Sequence, residues 1–514
     1  MNRRFDVEFW FVALIAATIM FFYLGGIPLL DPDEPVYGET PKEMLRFNEY
    51  LSPRIYGEYW YDKPPMYYWL VAGAFRLFGM NEFAARFPSA LLGVAGVLAV
   101  YLFGRQLFNR RAAMAGALVL ATSVEYFYLG KAAVTDITLN FCLMLSLLGF
   151  ITKRYSLMYI FAGLATVTKG PVGFLFPGAI IFLYLAATRR FELLREMKIL
   201  KGIILFAVTA LPWYWFMYNT HGSAFIDTFL GFHNVTRFTS PEHPEGVLWY
   251  YFIPVLILGF FPWTSILVQS VWCSLTKSSF EQNRILLFLN IWAAFIFTFF
   301  TISQTKLVSY ILPVYPPLAL IAGWYIDRIW DSRRHKGHYT AWAAVLACLV
   351  LLIIAGMLFG VKAMPVLVNG VIALIVLLAL MTLGVVIFVW RHQRTKVFWT
   401  QVIAMMVFSM VLVGVLFPAA APHFTSKYIA EQFIANYDGK SPVYVIKFLH
   451  PGFTYYTDIY GIEITAPQLT KVINTHGKAY LLIRQLEYKQ LAESDRHKVK
   501  VLAESADKLI LVKD

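Results

Sequence analysis

The chain has 514 residues, of which 59% are hydrophobic, 17% aromatic and only 15% charged, with a formal net charge of +13 and a mean hydropathy of +0.60. No water-soluble domain needs that much apolar surface; apolar runs of about 20 residues joined by short charged links are the pattern of a polytopic helical membrane protein. The positive charge does not point to nucleic acid, because the basic residues are spread among short loops between the runs and no basic face carries interleaved stacking aromatics.

Taken in order, the runs predict an all-α membrane domain over residues 1–418 with about thirteen transmembrane helices. They lie near 9–29, 84–104, 112–130, 137–151, 155–168, 170–187, 199–217, 247–272, 285–302, 311–328, 339–360, 367–390 and 397–418. Arg3 and Arg4 precede the first run as in a signal peptide. No small-x-small cleavage pattern follows, and the run leads straight into an acidic loop, so a retained anchor helix is expected. The fifth run is short and is interrupted at Lys169, Gly170 and Pro171. Cys142, Cys273 and Cys348 all fall inside apolar runs, which gives neither a disulfide framework nor metal-ligand spacing and predicts packing roles.

Counted loop by loop, Lys and Arg are roughly twice as frequent on the face that carries the N-terminus, which makes that face cytoplasmic. The loop at 31–83 is then external, periplasmic in a Gram-negative cell, and an odd number of spans puts the C-terminus outside as well. This loop holds Asp31, Asp33, Glu34, Glu39, Glu43, Glu49, Glu58 and Asp62 among Tyr, Trp and Pro residues. Two amphipathic interfacial helices are expected in it. One starts at Thr40 with the capping-box pattern TPKE and runs to Phe47; the other covers 64–78. The tail, 419–514, changes character. Runs such as SPVYVIKFLH, KAYLLIR and DKLILVK read as strands, with helical patterns near 427–437, 467–474 and 486–493, so a small external α/β domain is expected.

Several polar residues map to the external ends of the spans: Asp33, Glu34 and Tyr37 after the first, Asp62 and Lys63 before Pro64, and Asp136 opening the fourth. Lys169 lies at the broken junction, His233, Arg237 and His243 in the loop 218–246, and Lys306 and Tyr310 in TISQTKLVSYILP. Most single carboxylates in such a loop are simply solvated, and Lys or Arg at a span end is often a headgroup anchor. Asp136 differs, because an ionisable residue entering an apolar span is costly and more often functional. A divalent metal is conceivable at Asp62 with His233 if the two meet in space; no cofactor is otherwise required. Carboxylates above a lipid-facing cavity ringed by Lys and Arg suit transfer from a lipid-linked phosphate donor. Basic groups stabilise the departing phosphate and a carboxylate orients or deprotonates the acceptor.

These residues carry a resemblance. Asp33-Glu34 with Tyr37 and Glu39, Asp62-Lys63-Pro64-Pro65 with Tyr68-Trp69, Asp136, Thr168-Lys169-Gly170-Pro171, His233 with Arg237-Phe238, and Lys306-Leu307 with Tyr310-Ile311-Leu312-Pro313 occur in that order. The pattern resembles the polytopic C-type glycosyltransferases, most closely the lipid A 4-amino-4-deoxy-L-arabinose transferases and more distantly the protein O-mannosyltransferases. The resemblance implies an inverting transferase that takes a sugar from a polyprenyl-phosphate donor on the periplasmic face of the bacterial inner membrane, with lipid A as acceptor. Asp33 would be the catalytic carboxylate with Glu34 beside it, and Asp136 a second essential acid. Lys63, Arg237 and Tyr310 would contact the lipid phosphate, with Tyr37, Lys169 and Lys306 in the substrate site. Val36 and Asp62 stand where the aminoarabinose transferases usually have Arg and Glu, which leaves open another sugar or a protein or glycan acceptor. A lipid-linked sugar flippase is the reading from another class; it is disfavoured because no internal repeat is visible and the charges gather at one face.

Overall fold

The computed structural model describes residues 6–236, 248–276, 280–330 and 336–513. Contacts divide the chain into two compact units, one formed by 1–22, 61–67 and 89–412 and the other by 23–60, 68–88 and 413–514.

In the first unit the helices coincide with the apolar runs, because a backbone without water must bond to itself. Among the described residues, seven helices are long and apolar enough to cross a membrane, and up to nine if each of two bent pairs is one span. This makes the chain a multi-pass membrane protein. The bent pairs are Arg110–Thr122 with Val124–Gly130, at 66°, and Phe252–Gly259 with Thr264–Thr276, at 105°. The first helix, Val7–Phe21, stops well short of the expected residue 29. The buried Lys131 ammonium donates to the carbonyls of Met20 (3.2 Å) and Phe22 (2.6 Å), serving the orphan acceptors of that helix end. Asp136–Ile151, Tyr155–Lys169 and Val172–Thr188 are consecutive helices packed on one another. The break at Gly170 is real: its φ of +85° suits glycine, and Pro171 follows directly. Cys142 and Cys273 are buried as expected, whereas Cys348 is exposed on the helix Lys336–Ala363.

The Arg110–Thr122 and Tyr315–Trp330 helices approach closely through glycines. A Cβ on Gly323 would lie 2.4 Å from the Ala112 carbonyl oxygen, and one on Gly116 2.9 Å from that of Ala319. Small residues at a crossing are how membrane helices gain packing energy when lipid offers no hydrophobic drive.

The second unit contains a helix Asp33–Phe47, a two-stranded ribbon pairing Arg54–Ile55 with Glu58–Tyr59, and the tail. The helix begins seven residues before the TPKE pattern, so Thr40 and Pro41 are interior and buried rather than a cap and first turn. The second expected loop helix is present as Met66–Phe78. In the tail, a five-stranded sheet runs in the order Ile462–Ile464, Val443–Ile446, Ala479–Arg484, Lys508–Lys513, Lys500–Ser505. Its first three strands are parallel and the last two antiparallel to their neighbours. Alternate residues of the central strand feed two cores: Tyr480 and Leu482 pack with Ile429, Phe433 and Phe453, while Leu481 and Ile483 pack with Leu469, Ile473 and Leu509. The expected strands at 443, 479 and 508 are the interior ones. Ile462–Ile464 and Lys500–Ser505 were not legible because edge strands, half in water, need no apolar run. His450 opens a helix, His450–Thr457, rather than ending a strand.

Replacing Gly323 with Leu should force the two helices apart. We expect about 1–3 kcal/mol of destabilisation or more, read as a lower melting temperature and reduced monodisperse yield of detergent-purified protein, while Gly178→Leu, where a Cβ meets nothing within 4 Å, leaves both unchanged.

Candidate active site

Asp33 is exposed at the first position of the Asp33–Phe47 helix, where the helix dipole favours a negative charge. Glu34, its sequence neighbour, is turned inward. Only 5% of it is exposed, and its carboxylate receives the Arg86 guanidinium in a two-point fork, Nε to Oε1 at 2.8 Å and Nη2 to Oε2 at 2.6 Å. Oε2 also accepts the Leu30 N–H at 2.8 Å. Arg86 spends its remaining donors on the carbonyls of Leu24, Ile27 and Pro28. A fully desolvated guanidinium is tolerated only when its donors are satisfied in this way. Glu34 therefore acts as an anchor in this structure, and Asp33 is the carboxylate presented to solvent. Tyr37, one turn along, packs its ring 5.9 Å from that of Tyr68.

In the first unit, Asp62, Lys63, Asp136, Lys169 and Tyr310 form a charged cluster. The Lys63 ammonium donates to its neighbour Asp62, Nζ to Oδ1 at 2.8 Å. Asp136 opens its helix and accepts from Lys169 Nζ at 2.7 Å, so the pair joins a helix N-terminus to a helix C-terminus and complements both dipoles. The same ammonium lies 4.9 Å from the centroid of the Tyr310 ring, a cation–π distance. Asp62 is within electrostatic reach of Lys169. Lys306 lies between the helix Phe280–Ile302 and the 3-10 turn Val308–Val314. Only 4% exposed, it makes no hydrogen bond or ion pair among the described residues, and burial holds its ammonium below the ordinary lysine range. The cluster thus sets two carboxylates, Asp62 and Asp136, against the ammonium groups of Lys63 and Lys169, with the Tyr310 ring beside them. Ammonium groups held at helix ends in this way can share their remaining donors with an anionic ligand.

The π-helical stretch Ile226–Thr236 contains His233, while Arg237 and His243 lie outside the described residues. Among the described residues no three His, Cys, Asp or Glu side chains gather as a metal site, and Asp62 is engaged by Lys63. Sequence reasoning passed over Arg86 and Glu125. Both are ionisable residues within apolar stretches, which was the available signal. Glu125 is buried at the bend of the 110–130 helix pair and accepts the Tyr315 hydroxyl at 2.5 Å. Gly259 packs against that pair so tightly that a Cβ there would lie 2.1 Å from the hydroxyl oxygen.

Residues 62–216 match the family described as dolichyl-phosphate-mannose-protein mannosyltransferase. Two uncharacterized proteins of Aquifex aeolicus are each 30% identical, one over 325 residues (62% of this chain, 63% of the relative) and one over 348 (67% and 77%). The undecaprenyl phosphate-alpha-4-amino-4-deoxy-L-arabinose arabinosyl transferase of Aeromonas hydrophila is 27% identical over 369 residues, 66% of this chain and 64% of its own length. The chain therefore spans somewhat less than two thirds of that relative and of the first Aquifex protein. The crystal structure of ArnT from Cupriavidus metallidurans bound to undecaprenyl phosphate superposes with a TM-score of 0.77 at 22% identity, covering 100% of this chain and 98% of that one.

Beside Asp33, the second unit buries two further carboxyl groups. Burial pushes Asp31 and Glu39 each up to about 7, so between about pH 4 and pH 7 both are mainly neutral in the folded protein where they would be ionised in the unfolded chain. The folded state then holds more protons, and its stability falls as pH rises from about 4 to about 7 and levels off above that. We expect a higher melting temperature at pH 5.5 than at 7.5, and Glu39→Gln, neutral at every pH, should reduce that difference; an unaltered pH slope would show that Glu39 does not titrate there.

Proposed function

We propose, since the chain belongs to the polytopic C-type glycosyltransferases, that it is an inverting transferase moving a sugar from a polyprenyl-phosphate donor to an acceptor on the periplasmic face of a bacterial inner membrane. The observation that carries this reading is the pair of ammonium groups, Lys63 with Asp62 and Lys169 with Asp136, gathered with the Tyr310 ring at helix ends. An anion with a long apolar tail suits such a cluster in a protein of membrane-spanning helices, and a polyprenyl phosphate is that kind of molecule. In support, the similar Cupriavidus protein was crystallised with undecaprenyl phosphate and the Aeromonas relative is named for an undecaprenyl phosphate-linked aminoarabinose. We therefore take 4-amino-4-deoxy-L-arabinose as the first sugar and lipid A as the first acceptor.

In the proposed reaction an acceptor oxygen attacks the anomeric carbon as the bond from that carbon to the donor phosphate oxygen breaks. The carbon inverts, and the polyprenyl phosphate leaves with the electron pair and one further negative charge. Lys63, Lys169, Lys306 and Tyr310, with Arg237, would receive that growing charge. Preorganised donors of this kind are worth about 10²–10³ in rate each. Asp136 keeps the Lys169 ammonium in position and charged. Asp33 takes the acceptor proton when the acceptor is a hydroxyl; when it is an ionised phosphate, Asp33 orients it. Tyr37 lines the sugar side. In this reading the chain crosses the membrane about thirteen times, with the N-terminus cytoplasmic and the 419–514 domain periplasmic. A divalent metal at Asp62 and His233 is not needed for any of these steps.

The test is mass spectrometry of lipid A from cells that make the donor but lack their own transferase. Expression of this chain should add an aminopentose, and Asp33→Asn, present in the membrane at the same level, should add none. A fully active Asp33→Asn would remove that residue from the mechanism. Lys306→Gln should lower transfer by about 10²-fold and weaken retention of undecaprenyl phosphate by the purified protein; unchanged retention would end the phosphate assignment.

A further inference from the structure

Asp33 is exposed, but the backbone on either side of it is held. Upstream, the Leu29 N–H donates to the Tyr456 hydroxyl at 2.7 Å. The Asp31 N–H donates to the Phe424 carbonyl at 2.8 Å, and the Asp31 carboxylate accepts the Ser426 hydroxyl at 2.6 Å. The Tyr456 hydroxyl in turn donates to Glu82 at 3.3 Å, and Glu82 is paired with Lys427 at 2.9 Å. Downstream, Lys42 reaches the Tyr455 carbonyl at 2.8 Å and Asp458 at 2.9 Å, and Arg46 also pairs with Asp458. The groups that touch the Asp33 segment directly, Tyr456, Phe424, Ser426, Tyr455 and Asp458, all belong to the C-terminal segment. The fit leaves no slack: a Cβ on Gly38 would meet the Tyr455 ring at 2.8 Å, and one on Gly452 the Asp31 carboxylate oxygen at 2.0 Å.

We infer that the C-terminal segment is a positioning element for the transfer reaction: through Ser426, Tyr456 and Asp458 it holds the first turns of the Asp33–Phe47 helix in the place that presents Asp33. The inference rests on the reading of Asp33 given above. A tail that served solubility or stability alone would need contact anywhere on the loop. Here the contacts bracket the catalytic position, two and four residues before it and along the helix after it, and they come from three places in the tail. Glu34 and Arg86 supply a matching hold from outside the tail. Catalytic carboxylates work only near their productive geometry, and a displacement of about 1 Å can cost about 10²-fold in rate.

The experiment uses the full chain in nanodiscs with the donor and acceptor on which the unaltered protein turns over. Ser426→Ala with Tyr456→Phe removes two of the upstream holds. The expected result is a kcat lower by about tenfold with the donor KM within twofold, and faster amide exchange across residues 29–40 at an otherwise unchanged exchange map. Ser426→Thr, which keeps the hydroxyl, should restore kcat. Unchanged exchange at 29–40, or faster exchange with an unchanged kcat, overturns the inference. Should the double variant not be recovered folded, Asp458→Asn, at the half-exposed end of the clamp, is read in the same way. Asp33→Asn separates this inference from the one beneath it. That variant should lose transfer while its exchange stays as in the unaltered chain; if it turns over normally, the Asp33 reading fails, and the exchange data still report whether the tail holds the loop.

Discussion

A guanidinium removed from water has to find a partner for nearly every N–H it carries, and Arg86 meets that demand with the Glu34 carboxylate and three carbonyls of the segment 24–28. Those acceptors are successive pieces of the chain between the first helix and the acidic one, so satisfying Arg86 sets the path of that segment. Glu34 is drawn inward as a consequence. Its neighbour Asp33, at the first position of the helix, is left facing water. Breaking such a buried pair by removing one member typically costs about 3–5 kcal/mol, which makes the fork an effective constraint on where the helix starts.

The same rule, that charge in a low-dielectric setting is either paired or waiting for a ligand, organises the membrane unit. Asp136 and Lys169 close on each other at helix ends of opposite polarity, Asp62 and Lys63 form a second pair, and Glu125 accepts the Tyr315 hydroxyl. Lys131 finds carbonyl oxygens at a helix terminus. Lys306, in contrast, makes no ion pair among the described residues, and the proposed donor phosphate would supply one. Asp136 holds the Lys169 ammonium in position at the helix end.

The helices of the membrane unit were legible almost run for run, because a stretch of about 20 apolar residues has few alternatives to a helix. The interior strands of the tail were legible for a related reason, their two buried faces requiring continuous apolar residues. Failures fell where local signals compete with distant partners. TPKE is a sound capping pattern, yet Thr40 is interior, since the helix had already begun under the pull of the Glu34 fork. The apolar run after Phe21 is not helical, and the edge strands at 462 and 500 carried too little apolar pattern to be seen.

Composition and periodicity by themselves determined that this is a multi-pass helical protein with an acidic first loop and an α/β tail, because hydrophobic burial and backbone hydrogen bonding act on neighbours a few residues apart. They also nominated Asp33, Lys63, Asp136, Lys169, Lys306 and Tyr310, since charges flanking apolar spans are conspicuous. They did not determine which of two adjacent acids faces water, that Asp31 is tied to Ser426, or that Lys169 closes on Asp136. Those outcomes depend on residues that are tens to hundreds of positions apart meeting in a medium where an unpaired charge is costly, and only the tertiary structure selects the pairs.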